Sequence, residues 1–296
     1  MGSFIGKYLI GVSGLIFAFG NFVACGTQLY QISLEDDFDD ARAKKANPDF
    51  NNPISTAYGI HAMQGWHEIP IPIRFGYDLS DEQKIHFLAA VKKWEWAVGK
   101  KLFVFEGLHD GITGDSFDDL YSSLQDGING HYLDQNWGKT AKPDYVLATT
   151  IWSNGPNYGI IRTADIRFNY QNYSIGDSLT LRSKNNREVV DMLSLALHEL
   201  GHLLGLAHVE KDVDTYSVMT PSLFIGEGLT SREISRGDIE RIQQIYGCAG
   251  KACNIDTLVS EASKKPMDAR LIEMAEVWLT SGSGFSPDDD ENTFAH

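Results

Sequence analysis

Residues 198–208 read His-Glu-Leu-Gly-His-Leu-Leu-Gly-Leu-Ala-His, and no other stretch limits so narrowly what the chain folds into. In an α-helix, residues four apart stand about 40° from each other, one turn up, so His198 and His202 present imidazole nitrogens to one ion from one face. Glu199 is rotated by about 100°, close enough to reach a water at the metal without displacing a ligand. Gly205 is able to take the left-handed conformation that ends a helix. The chain then reverses, and His208 returns as a third nitrogen ligand. Three protein ligands leave one coordination position open, the arrangement of a catalytic rather than a structural zinc. At average composition the full pattern arises by accident in about one chain in 10^4 to 10^5, which sets aside coincidence. The remaining histidines (His61, His67, His86, His109, His131 and His296) form no comparable cluster in sequence and are expected to be packing or surface residues.

Downstream, Ser217-Val218-Met219-Thr220-Pro221 and the segment Ser235 to Gly247 extend the pattern. With these the chain resembles the metzincin metallopeptidases, and among them the matrixins most closely, over Trp66 to Gly247. The resemblance implies an α+β fold: a twisted mixed sheet, a long zinc-binding helix and a closing C-terminal helix. It implies one catalytic Zn²⁺ on His198, His202 and His208, with Met219 in a turn beneath it. The implied activity is hydrolysis of peptide bonds in protein or peptide substrates by a metal-activated water, with Glu199 as general base. It also makes Leu223, Phe224 and Ile225 the wall of the pocket just past the scissile bond, so a hydrophobic residue is expected there. Departures are visible. Val209 stands where matrixins usually carry serine, and the segment from His208 to Met219 is longer than usual. Pro221 removes the tyrosine that other metzincins use as a further ligand. No cysteine-switch segment and no histidines for a second, structural zinc are recognisable. Two other functions are compatible with the motif: an envelope lipoprotein that binds metal without useful turnover, and a zinc amidase acting on cell-wall peptides. Glu199 weighs against the first, and the methionine turn and closing segment against the second.

The chain has 296 residues, 43% of them hydrophobic, enough for one sizeable core with appendages. A formal charge of −15 argues against a nucleic-acid partner, which would require a basic face. A monomer is expected. At the N-terminus Lys7 precedes an apolar run from Tyr8 to Phe19, too short for a membrane span and interrupted by Asn21. Phe22-Val23-Ala24-Cys25 resembles a bacterial lipoprotein box. Residues 1–25 are therefore expected to be a signal peptide and Cys25 a lipidated terminus holding the protein in a bacterial envelope, on the outer membrane, with plain secretion as the alternative. Residues 26–65, with their acidic run, read as a polar tether or short pro-segment. If Cys25 is lipidated, Cys248 and Cys253 remain as an even pair in an oxidising compartment, where a small disulfide loop is expected. Residues 248–296 form an extension with one amphipathic helix around Leu271, Met274, Ala275 and Trp278.

Within 66–247, strands are expected at 69–76, 102–105, 145–152 and 164–170. Ser80 and Gln83 supply a capping box for a helix with the apolar stripe Phe87, Leu88, Val91, Trp94 and Val98, ended by Gly99. The acidic stretch 107–143 reads as a solvated insertion. Calcium is conceivable there, but the spacing matches no EF-hand loop. Residues 154–161 are expected to form an irregular sheet edge that pairs with substrate backbone. The zinc-binding helix is expected to begin near Asn185, and the closing helix at Ser235.

Overall fold

The computed structural model describes residues 64–154, 160–264 and 267–281, with three short strands at 22–24, 55–56 and 59–60. These strands are β1 (Phe22–Ala24), β2 (Ser55–Thr56) and β3 (Gly59–Ile60). Cys25, most of the expected signal and tether segments, and the end of the chain lie outside the described residues.

The core begins with β4 (Gly65–Trp66) and β5 (Ile71–Phe75). In β5, Ile71, Ile73 and Phe75 are buried while Pro72 and Arg74 point away, the period of two that a strand over a core requires. Helix α1 (Asp81–Val98) follows. The Ser80 side chain accepts from the Gln83 backbone and the Gln83 side chain accepts from the Ser80 backbone, while Gly99 ends the helix in the left-handed region. Strand β6 (Phe103–Leu108) then returns parallel to β5, closing a βαβ unit.

The acidic stretch that follows is not a mere solvated insertion. It contains β7 (Gly130–Asp134), which lies in the middle of the sheet, parallel to β5 on one side and β9 on the other. Its sequence, Gly-His-Tyr-Leu-Asp, hides the strand because two of its buried residues are polar. Asp134 is tolerated inside because the Arg167 guanidinium donates to it at 2.6 Å. Strands β8 (Ala148–Asn154) and β9 (Ile160–Asn169) form an antiparallel pair, giving a sheet order β4-β9-β7-β5-β6 with β8 on β9. The outer strand is thus β8 itself. Asn154, Ile160 and Ile161 belong to these strands, the β8–β9 register shifts between Ser153 and Asn154, and residues 155–159 lie outside the described residues.

Strands β10 (Ser174–Gly176) and β11 (Val189–Asp191) pair in parallel and lead into helix α2 (Met192–Leu203). This helix starts seven residues later than the sequence leads one to expect. Asn185 and Asn186 both have positive φ, a turn, and Val189-Val190 prefer the extended ladder. Asp191 then caps the helix, accepting from the Ser194 backbone at 3.0 Å. Strand β12 (Ser222–Phe224) follows, and among the described residues it pairs antiparallel with β1. Helix α3 (Arg236–Tyr246) begins at Ser235, with Asp238 completing a capping box.

Two further helices, rather than one, follow: α4 (Ile255–Lys264) and α5 (Asp268–Ser281), with Pro266 between them in sequence. Leu258, Leu271, Ala275 and Trp278 join the same apolar core as α1 and α2. Helix α5 lies along α1, which explains how α1 buries Lys92 and Lys93. Lys93 pairs with Asp268 at 2.5 Å, and the Lys92 ammonium sits 4.6 Å from the Trp278 ring centre. No helix among the described residues is long and apolar enough to cross a membrane.

Candidate metal centre

Helix α2 is apolar almost all round and wholly buried, so whatever it carries is presented from inside the molecule. Its last turns are held from several sides. Trp94 donates its indole N–H to the Leu197 carbonyl, Trp66 to that of Leu203, and the Tyr246 hydroxyl to that of Leu204. The latter two serve carbonyls at the helix end that have no partner within the helix. Gly205, at φ +104, then reverses the chain. The reversal brings the Leu206 carbonyl to 2.9 Å from His202 Nδ1 and carries His208 back toward the helix.

The three imidazoles converge. His202 Nε2 and His208 Nε2 lie 3.0 and 3.2 Å from His198 Nε2. His198 Nδ1 faces the Val218 carbonyl at 2.7 Å. A carbonyl only accepts, so Nδ1 of His198 and of His202 must carry the ring proton, and their Nε2 lone pairs point at one another. That arrangement is repulsive unless a cation sits among the nitrogens. The donors fit zinc: Zn–N bonds of about 2.0–2.1 Å in a tetrahedron place the nitrogens roughly 3.3 Å apart. Burial also keeps the rings neutral, as ligands must be. It holds His198 down to about 4 and, joined by the neighbouring charge of His198, His208 down to about 3. His202 is driven well below the usual histidine range by the same burial and by its two neighbours.

Beneath the cluster lies the methionine turn. Met219 is fully buried, and a Cβ on Gly201 would come within 2.3 Å of its sulfur, so any larger residue at 201 would have to displace the Met219 side chain. The turn is fixed to α3. Asp238 accepts from Ser217 Oγ at 2.6 Å and from the Val218 N–H at 2.9 Å. Arg241, itself buried, pairs with Asp238 and donates to Ser217 Oγ at 3.1 Å and to the Ala207 carbonyl at 3.4 Å. One guanidinium therefore joins the closing helix, the methionine turn and the backbone just before His208. Neither Asp238 nor Arg241 stands out in the sequence as a site residue. Their only signal is a pair of opposite charges three apart on an otherwise apolar helix face.

Glu199 is buried beside His198, and the Thr150 hydroxyl of β8 donates to its Oε2 at 2.7 Å. The ammonium of Lys142 lies within reach of its charge: burial lowers the Lys142 pKa, and Glu199 works in the opposite direction. Leu223 on β12 and Ile225 just after it turn into the core and Phe224 faces outward, with the Lys211 ammonium 5.0 Å from its ring centre. A disulfide joins Cys248 and Cys253. Among the other histidines, His86 lies beside Asp177 and Asp191, a grouping not evident in the sequence. The Arg232 guanidinium already occupies that space, 2.6 Å from Asp177 and 2.5 Å from Asp191.

Residues 95–247, half of the chain, match the family profile described as matrixin, peptidase M10. This chain belongs to the matrixin family. Two relatives from Arabidopsis thaliana are similar to it. One, metalloendoproteinase 2-MMP, is 40% identical over 97 residues, covering 33% of this chain and 24% of its own length. The other, metalloendoproteinase 5-MMP, is 42% identical over 59 residues, covering 20% of this chain and 15% of its own. The chain thus spans about a quarter or less of the length of these relatives. Its mixed sheet, buried α2 and closing α3 agree with the α+β architecture that the sequence motifs imply.

Proposed function

We propose that this matrixin is a zinc-dependent endopeptidase acting on extended protein or peptide chains. The observation that carries the reading is the convergence of three neutral imidazoles, two of them anchored by Nδ1–H on carbonyls, with Glu199 next in the chain. His198, His202 and His208 would hold the metal. When bound, zinc supplies Lewis acidity that polarises a substrate carbonyl and makes water a nucleophile near neutral pH. Glu199 takes the proton of the attacking water and gives it to the departing amine. The buried surroundings keep bulk water from competing for that proton. Strand β8, outermost on the sheet, offers backbone groups with which an extended substrate aligns. Of the three expected pocket residues, the exposed Phe224 is the one that favours a hydrophobic residue just past the cut.

Glu199→Gln keeps the size of the side chain but cannot accept the proton. The variant should retain zinc and lose at least about a hundredfold in kcat against a peptide library, while cleavage mapping of the parent reports hydrophobic residues after the cut. A folded, zinc-loaded variant cutting at the parental rate would remove Glu199 from the mechanism. Absence of any peptide cleavage by the zinc-loaded parent would favour a binding protein instead.

The anchoring reading rests on the lipoprotein-like Phe22-Val23-Ala24-Cys25. Cys25 carries lipid and holds the enzyme on the outer membrane of a bacterial envelope. Cys25→Ser should move the protein to the soluble fraction, and mass spectrometry of the mature terminus decides the matter.

A further inference from the structure

Strand β8 does more than lie beside the metal centre: it reaches the acidic residue of the motif. Thr150, opposite Ile166 in the β8–β9 ladder, is buried, and its Oγ1 lies 2.7 Å from Glu199 Oε2 and 3.1 Å from the Glu199 carbonyl. A hydroxyl has one proton to give. The shorter contact is to the carboxylate and is charge-assisted, so that is where the proton goes. Glu199 is itself fully buried and carries three side-chain torsions, so each hydrogen bond to its carboxylate narrows the orientations it samples. We propose that Thr150 is a positioning residue for Glu199: its hydroxyl fixes Oε2 and with it the orientation in which the carboxylate meets the water. The inference rests on Glu199 acting as general base. It adds that the outer strand, with which substrate backbone would align, and the base are joined by one hydrogen bond, so that the register of the one sets the orientation of the other.

Nothing in the histidine motif encodes this contact, since Thr150 lies 49 residues from Glu199. Its neighbour Thr149 provides an internal control. That side chain is also buried, but its hydroxyl has no hydrogen-bond partner among the described residues.

The experiment compares zinc-loaded Thr150→Val, Thr150→Ala, Thr150→Ser and Thr149→Val, all in the full chain. Loss of a hydrogen bond to a charged group predicts a fall in kcat of about tenfold or more for Thr150→Val and Thr150→Ala. Thr150→Ser should stay within about threefold of the parent, and Thr149→Val should match it. KM and zinc content should be unchanged throughout, a split that a general loss of structure would not give. Near-UV circular dichroism selects the folded variants. A folded Thr150→Val or Thr150→Ala with parental kcat overturns the proposal. So does a Thr150→Ser as impaired as the hydroxyl-free variants, or an effect confined to KM. If these variants retain full turnover while Glu199→Gln is inactive, Thr150 is excluded and the general base stands. If Glu199→Gln is fully active, the base reading itself is lost.

Discussion

The buried histidines of this protein live under two different regimes. Around the metal centre, His198 and His202 each find a carbonyl for Nδ1, and the turn that supplies one of those carbonyls is held in turn by Asp238 and Arg241. In the middle of the sheet, His131 is equally buried, stacked on Phe87 with ring centres 4.4 Å apart, yet neither of its nitrogens has a hydrogen-bond partner among the described residues. The first group is built to keep a charge; the second is a polar ring doing the work of a phenyl. Burial forces both to stay neutral, and it holds His131 down to about 3. The difference is what the neutrality serves: coordination in one place, and in the other a standing cost of two unmet nitrogens.

That contrast can be broken at several points. The largest effect on stability should come from Arg241→Met, which strands the Asp238 carboxylate in the interior and frees Ser217 and the Ala207 carbonyl together. Removing one partner of a buried pair costs about 3–5 kcal/mol, measurable by urea denaturation, and the zinc off-rate to a chelator should rise alongside. A loss below about 1 kcal/mol would mean that the metal half is not braced as described.

His131→Phe should act in the opposite direction, stabilising by about 1–3 kcal/mol at neutral pH by removing two unmet polar atoms. Its gain should grow with acid. The folded pKa is depressed from 6.5 to about 3, so the histidine's contribution is intact above 6.5 and is lost as pH falls toward the folded value. In that window each pH unit costs the parent about 1.4 kcal/mol relative to the phenylalanine variant. Denaturation midpoints between pH 7 and 4 that shift in parallel would refute the reading.

The mirror of that effect is expected at Asp165. Its carboxyl accepts from the Gly130 N–H at 2.7 Å with Ser123 beside it, yet burial outweighs both and raises its pKa from 3.8 to about 7. The stability it contributes is complete below 3.8 and disappears as pH rises through 7. Asp165→Asn should therefore change little below pH 4 and gain about 1.4 kcal/mol per pH unit from there up to pH 7. A gain largest in acid would reverse the assignment.

How far the sequence speaks follows the same division. The histidine motif, the methionine turn, the Ser80 and Ser235 caps and the α1 stripe are local signals, and each falls where its residues point. Strand β7 was illegible because His131 and Asp134 break its alternation, and only Arg167, from the neighbouring strand, makes Asp134 acceptable inside. Helix α2 starts later than the expected Asn185 because tertiary pairing of Val189 and Val190 with β10 claims those residues for a ladder. Thr150, Asp238 and Arg241 act on groups far along the chain, which no periodicity reports.

The two C-terminal helices carry a practical consequence. Similarity to the family ends at Gly247, but the apolar core runs on through Leu258, Leu271, Ala275 and Trp278. A recombinant version trimmed to the homologous stretch would leave Lys93 without Asp268, uncover the Phe105 ring that meets Trp278 edge-on, and open one flank of α1 to solvent. Its failure to express or dissolve would then report on the missing helices, and would say nothing about whether the metal centre is competent.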